Sequence, residues 1–232
     1  MKMNFKSVIM ATVVALLLSS SYSVSAIPIT SSNLITCSGK LAPKSNWSDC
    51  DLTHVNISFK NLSGINLSGA DLSGARLYDT DLTGANLTDT KLAGASLNYV
   101  NLSGADLHGA VLQSADLYHA NLSGANLSGA NLQYARLPSV DFHGANLSGT
   151  DMSYISAQNA NFENSILTNV MLLNAELLGT DFSGANLSGA DLAGADNTGG
   201  FMTGADLTDA NVSGLDTAGT DLSCNGNPIC YG

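Results

Sequence analysis

The sequence predicts an all-β solenoid, and three observations carry that prediction. A central residue, almost always apolar, recurs at every fifth position from Leu52 to Leu222 with no insertion or deletion, through 35 consecutive pentapeptides. Leu fills 25 of these 35 centres, and two residues earlier Ala fills 19 of the 35 positions. A period of five matches neither the 3.6 residues of an amphipathic helix nor the 2.0 of a plain strand, so a single helix is excluded. A chain that turns a corner every five residues points its small and central residues inward and the other three outward. One such turn buries little, but stacked turns bury a continuous column, which is why repeat arrays need many copies.

The elements follow in order along the chain. Residues 1–26 read as a signal peptide: Lys2 and Lys6 precede the apolar stretch Val8 to Leu18, which is too short to cross a bilayer, and Val24, Ser25 and Ala26 form a small-residue cleavage site. The mature chain then begins at Ile27, with no Cys after the cut to carry a lipid and no later apolar run of the roughly 20 residues that a membrane span needs. Residues 27–50 form an N-terminal cap segment, 51–223 the repeat array, and 224–232 a C-terminal cap segment. Within the array Ile57, Phe142, Met152, Ala157, Phe162, Phe182, Met202 and Val212 replace Leu at the centre, and only Asn197 and Thr217 are polar there. Asp196 to Gly200 departs furthest from the repeat, yet the unbroken register predicts one continuous rod.

The pattern Ala70-Asp71-Leu72-Ser73-Gly74, repeated in Ala105-Asp106-Leu107, Ala125-Asn126-Leu127, Ala145-Asn146-Leu147 and Ala185-Asn186-Leu187, closely resembles the Ala-(Asp/Asn)-Leu-X-X motif of pentapeptide-repeat proteins. The resemblance covers about three quarters of the precursor. It implies a right-handed quadrilateral parallel β-helix with four pentapeptides per coil, hence about nine coils and a rod about 40 Å long at the spacing of hydrogen-bonded strands.

The four cysteines lie outside the array, Cys37 and Cys50 before it, Cys224 and Cys230 after it. In an exported chain an even Cys count reads as disulfides, and four Cys allow three pairings. Bridged Cα atoms lie within about 7 Å, so a rod of the implied length leaves Cys37 with Cys50 and Cys224 with Cys230. Zinc is disfavoured, since these spacings come without His pairs. Both bridges fall where a solenoid exposes unpaired backbone and core, and Trp47 extrapolates to a central position that covers the first coil.

Stacking every twentieth residue sorts the outward positions onto four sides. Asn or Asp precedes the centre at eight of nine positions on the side of Asn61, Asp81 and Asn121, and at six of nine on the side of Asp71 and Asp151. On the side of Asn66 and Asn126 the count is seven of eight. Short Asn and Asp side chains satisfy corner backbone groups, and Gly fits tight turns. The side of Arg76, Ser96, Arg136, Ser156 and Glu176 keeps only four. That side carries Arg76, Tyr78, Tyr118, His119, Arg136 and Pro138, with Phe59 and Tyr99 at its edge and Tyr134 and Tyr154 at the adjoining corner. Aromatics and Arg anchor interfaces, so this is the candidate contact surface, centred on Arg76, Tyr78, Tyr99, Tyr118, His119 and Arg136. A second apolar group, Ile166, Met171, Leu173 and Leu178, is a candidate homodimer contact.

Catalytic motifs are absent: no G-x-S-x-G, no H-E-x-x-H, no Walker-type glycine loop, and no pair of carboxylates set in a cleft. The four histidines are scattered, and no catalytic residue, metal site or cofactor is expected. After cleavage six basic residues face nineteen acidic ones, net −13, which disfavours direct nucleic-acid binding. The leading reading is a noncatalytic, secreted or periplasmic protein that binds a macromolecule, a protein, along one side. The family resemblance implies a second, since some cytoplasmic members mimic duplex DNA and bind DNA gyrase; the acidity agrees and the signal peptide does not. The third, a flat ice- or glycan-binding array, rests on the column Ser63, Thr83, Ser103 and Ser123, which His143 and Glu163 break.

Overall fold

Nearly every pentapeptide of the protein is closed by its own backbone. In a computed structural model, which describes Cys37 and residues 39–231, the Ile65 N–H donates to the Leu62 carbonyl at 3.0 Å across Ser63 and Gly64. Gly64 sits at φ +65° while Ser63 does not, which is the signature of a type II turn. The left-handed backbone recurs at every fifth residue from Lys44 to Gly219. The Asn or Asp before the centre braces the same corner: Asn61 Oδ1 accepts the Ser63 N–H at 3.0 Å, and Asn121 Oδ1 accepts that of Ser123 at 2.9 Å. Local chemistry therefore sets a corner every five residues without help from the rest of the chain.

Four corners bring the chain back above itself. Parallel bridges join each outward residue to the one twenty positions later, from Asn46 with Asn66 to Phe201 with Asp221, and a last bridge joins Asp206 to Asn225. The ladder uses three donors per side. The Leu62 N–H reaches the Asp81 carbonyl at 2.7 Å, that of Gly64 reaches Thr83 at 2.8 Å, and that of Asp81 returns to Lys60 at 2.8 Å. Each side of a coil pairs through a single residue, so the solenoid is a stack of one-residue bridges advancing about 4.8 Å per coil. The segment read as a signal peptide, residues 1–26, lies outside the described residues.

Inside, Leu columns alternate with Ala and are almost wholly buried from Leu52 to Leu207, each Leu contributing roughly 1.5 to 3 kcal/mol. Phe142, Phe162 and Phe182 stack in one column with ring centroids 4.8 and 5.0 Å apart. Where Thr replaces Ala its hydroxyl is satisfied by the preceding coil, as in Thr80 to the Ile57 carbonyl at 3.0 Å and Thr180 to that of Ala157 at 3.1 Å. Asn197 is the exception, wholly buried with neither Oδ1 nor Nδ2 bonded. Disulfides Cys37–Cys50 and Cys224–Cys230 close the two ends, with Cα atoms 5.8 and 5.0 Å apart. Trp47 packs against the first coil, and Ile229, on the short 3-10 turn η1 (Pro228–Tyr231), packs against the last.

Candidate surface for docking

The corner after the Arg76 side turns its aromatic residues into one strip. Ring centroids run 5.3 Å from Phe59 to Tyr78, 5.4 Å from Tyr78 to Tyr99 and 5.6 Å from Tyr99 to Tyr118. His119 stacks on Tyr99 at 5.4 Å and meets Tyr118 edge-on at 4.2 Å. Phe59 and Tyr99 occupy the left-handed corner position, and Tyr78 and Tyr118 the position before it. Successive coils thus alternate the two, 19 and then 21 residues apart, and the rings interleave. Burial by its neighbours pushes the Tyr99 phenol up, and the nearby Tyr118 and Tyr78 hydroxyls push it further. The strip remains open to solvent, with exposures from 71% at Phe59 to 38% at Tyr118.

Backbone strain marks the same place. A non-glycine side chain in the left-handed region costs roughly 1 to 2 kcal/mol, more readily offset for Asn and Asp than for a ring. Among the described residues His54, Phe59, Tyr99, His119, Tyr134 and Tyr154 are the aromatic ones held there, and all six lie at the two corners that bound the Arg76 side. The other two corners use Gly, Asp, Asn and one Lys. The fold does not need these rings, because glycine serves at equivalent corners elsewhere. At the second corner Tyr134 and Tyr154 stack in parallel at 5.2 Å.

Between the corners the outward column is polar and lightly tied. Arg136 holds Asp116 at 3.0 Å, and Asn98 Oδ1 accepts the Tyr118 N–H at 2.9 Å, closer than the regular brace from Asp116 Oδ1 at 3.4 Å. Arg76 is exposed, without an acidic partner among the described residues. Arg76, Tyr78, Tyr99, Tyr118, His119 and Arg136 therefore all fall on one side and its edge. Ile166, Met171, Leu173 and Leu178 do not gather: Ile166 and Met171 face two successive sides, Leu173 and Leu178 sit at the next two corners, and the group wraps around the rod. The Ser63 and Thr83 hydroxyls of the next corner are engaged with Asn61 and Asp81 at 2.9 and 2.6 Å. Among the described residues no group of His, Cys, Asp or Glu is arranged to hold a metal ion.

Charge is divided along the rod, a feature that composition hides. No Lys or Arg follows Arg136, whereas eleven Asp and Glu do; from Ile27 to Arg136 eight acidic residues face six basic ones. The two parts carry −11 and −2.

The family model for pentapeptide repeats matches residues 50–223 in successive segments. Similar solved structures include HetL, a pentapeptide repeat protein involved in heterocyst differentiation regulation in the cyanobacterium Nostoc sp. strain PCC 7120, at 28% identity over 80% of this chain and 90% of that one, with TM-score 0.42. Trypsin-treated QnrB1, a plasmid-mediated fluoroquinolone resistance protein, is 23% identical over 77% and 92% of the two chains, with TM-score 0.43. A pentapeptide repeat protein of the Arabidopsis thaliana thylakoid lumen is 28% identical over 43% and 66%, with TM-score 0.35. No curated protein matches the chain.

Proposed function

Because the chain belongs to the pentapeptide repeat family, whose members fold as right-handed quadrilateral β-helices and are in general noncatalytic, we propose that it is an exported interaction protein which grips a protein partner along its Arg76 side. One observation carries the reading: a contiguous, exposed aromatic strip is held in costly backbone geometry at that side's corners, where the fold accepts glycine. Two disulfides fit an oxidising compartment, and no helix among the described residues is long and apolar enough to cross a membrane. An acidic mimic of duplex DNA is the second reading, favoured by the net charge. It places the chain in a reducing compartment, where such disulfides rarely persist.

Truncating an anchor tests the leading reading. With the partner isolated from producing cells, Tyr118→Ala is expected to weaken binding by more than about 1 kcal/mol with little effect on folding. Asn121→Ser, on the adjoining side with the most regular Asn/Asp column, is expected to leave binding alone. Equal losses from the two, or a loss from Asn121→Ser only, overturn the assignment of the face.

A further inference from the structure

We propose that the Arg76 side docks a second copy of this chain, antiparallel, about a twofold axis that passes beside Arg136 and Ser139. The inference rests on the reading of that side as a docking face and adds the identity of its occupant.

The corner column that bears the strip is bulky in one half and bare in the other. It runs Phe59, Asp79, Tyr99, His119 and Ser139, then Asn159, Gly179, Gly199 and Gly219. An antiparallel copy with Ser139 on the axis sets Phe59 against Gly219 of its mate and Tyr99 against Gly179, ring into notch. The same axis sets Tyr154 of the other corner against Ser114. Nothing in the register of the coils requires bulk and glycine to change over at the middle of the rod.

The outward column obeys the same axis. Arg76, without an acidic partner among the described residues, meets Asp196 of the second copy, and Ser96 meets Glu176. Arg136 meets its own mate, but each is already neutralised by its Asp116 at 3.0 Å. Along the whole rod, the half carrying −2 lies against the half carrying −11. A parallel pair sets Asp196 and Glu176 against themselves and the two acidic halves together, which like-charge repulsion disfavours. Charge and shape thus select one orientation and one register.

Arg76 and Asp196 lie six coils apart in one chain, about 29 Å, so any coupling between them is between copies. The mature, disulfide-intact protein is expected to have twice the chain mass in light scattering. Arg76→Asp and Asp196→Arg alone each create two like-charge pairs and are expected to weaken the dimer about tenfold or more. Mixed in equal amounts they regenerate both attractive pairs, and the dimer is expected to return. Arg already stands at 76 and 136 of the same column, so Asp196→Arg suits the fold; melting and circular dichroism check it. If it does not fold, Asp196→Asn retains the bond to the Thr198 N–H and is expected to weaken the dimer several-fold at low salt. A monomeric wild type, an undisturbed Arg76→Asp dimer, or a mixture that stays apart each overturns the proposal. A monomer that loses another partner on Tyr118→Ala overturns the dimer and leaves the docking face standing.

Discussion

Replacing Asn197 by Leu is expected to stabilise the rod. Asn and Leu branch alike at Cγ, so the change puts two methyl groups where Oδ1 and Nδ2 now lie, both wholly buried and unbonded. The column is otherwise apolar through Leu177, and the amide lies against Gly200, whose missing side chain leaves the room. Two unsatisfied polar atoms removed and two methyls buried give about 2 to 4 kcal/mol in favour of Asn197→Leu. The backbone bonds stay: Asn197 N–H to the Asp216 carbonyl at 2.9 Å, and its own carbonyl to Gly200 N–H at 3.0 Å and Thr220 Oγ1 at 2.6 Å. Stacked repeats open locally, so one melting temperature is a blunt readout. Amide hydrogen exchange in the coil of Asn197 and Met202 is the assay, with protection expected to rise about thirtyfold or more. Unchanged or weaker exchange protection refutes the view that Asn197 is an unsatisfied core residue.

Reducing the disulfides is expected to fray the ends first, since closing loops of about 14 and 7 residues contributes roughly 2 to 3 kcal/mol each under the loop-entropy model; exchange that rises equally in every coil refutes end-capping. Truncating Phe162 to Ala is expected to cost about 3 to 5 kcal/mol in urea unfolding, because its ring stacks on both Phe142 and Phe182 in a core with no exposure there. Acid is expected to destabilise the rod. Bonds from the Thr198 hydroxyl and N–H hold Asp196 below the usual carboxylate range, and those from Thr208 do the same for Asp206. Asp71 is also lowered, its burial outweighed by Ser73 and Lys91. Groups depressed in the folded state contribute above their unfolded value of 3.8 and lose that contribution as pH falls through the folded one. The loss is therefore expected below about pH 4, and Asp206→Asn, which keeps an acceptor for Thr208, is expected to flatten that limb of the stability curve.

A corner every five residues and buried columns of Leu and Ala were legible in the period, whose register never slips, whereas four corners to a coil followed from the family resemblance. The cysteines were legible for a similar reason, since all four lie beyond an array too long to be bridged end to end. At the candidate surface, counting by twenty brought Tyr78 and Tyr118 to one side and Tyr99 to its edge. It did not reveal that rings 19 and 21 residues apart interleave, because that depends on how a left-handed corner leans its side chain towards the neighbouring coil. Counting by twenty sends Ile166, Met171, Leu173 and Leu178 to different sides and corners, and only their closeness in sequence made them look like one group: residues of one coil face in different directions. Asn197 was visible as a polar centre, whereas its lack of any partner is a fact of packing against Gly200.

One coil offers the most direct test of which side docks. Asn86, Lys91, Ser96 and Asn101 hold the same outward position on its four sides, Ser96 on the Arg76 side. A photo-activated crosslinking residue placed at each in turn, in producing cells, reads contact side by side at equal height on the rod. Crosslinked adducts concentrated at position 96 are the expected result. Adducts as strong at 86, 91 or 101 as at 96 contradict a docking face on the Arg76 side.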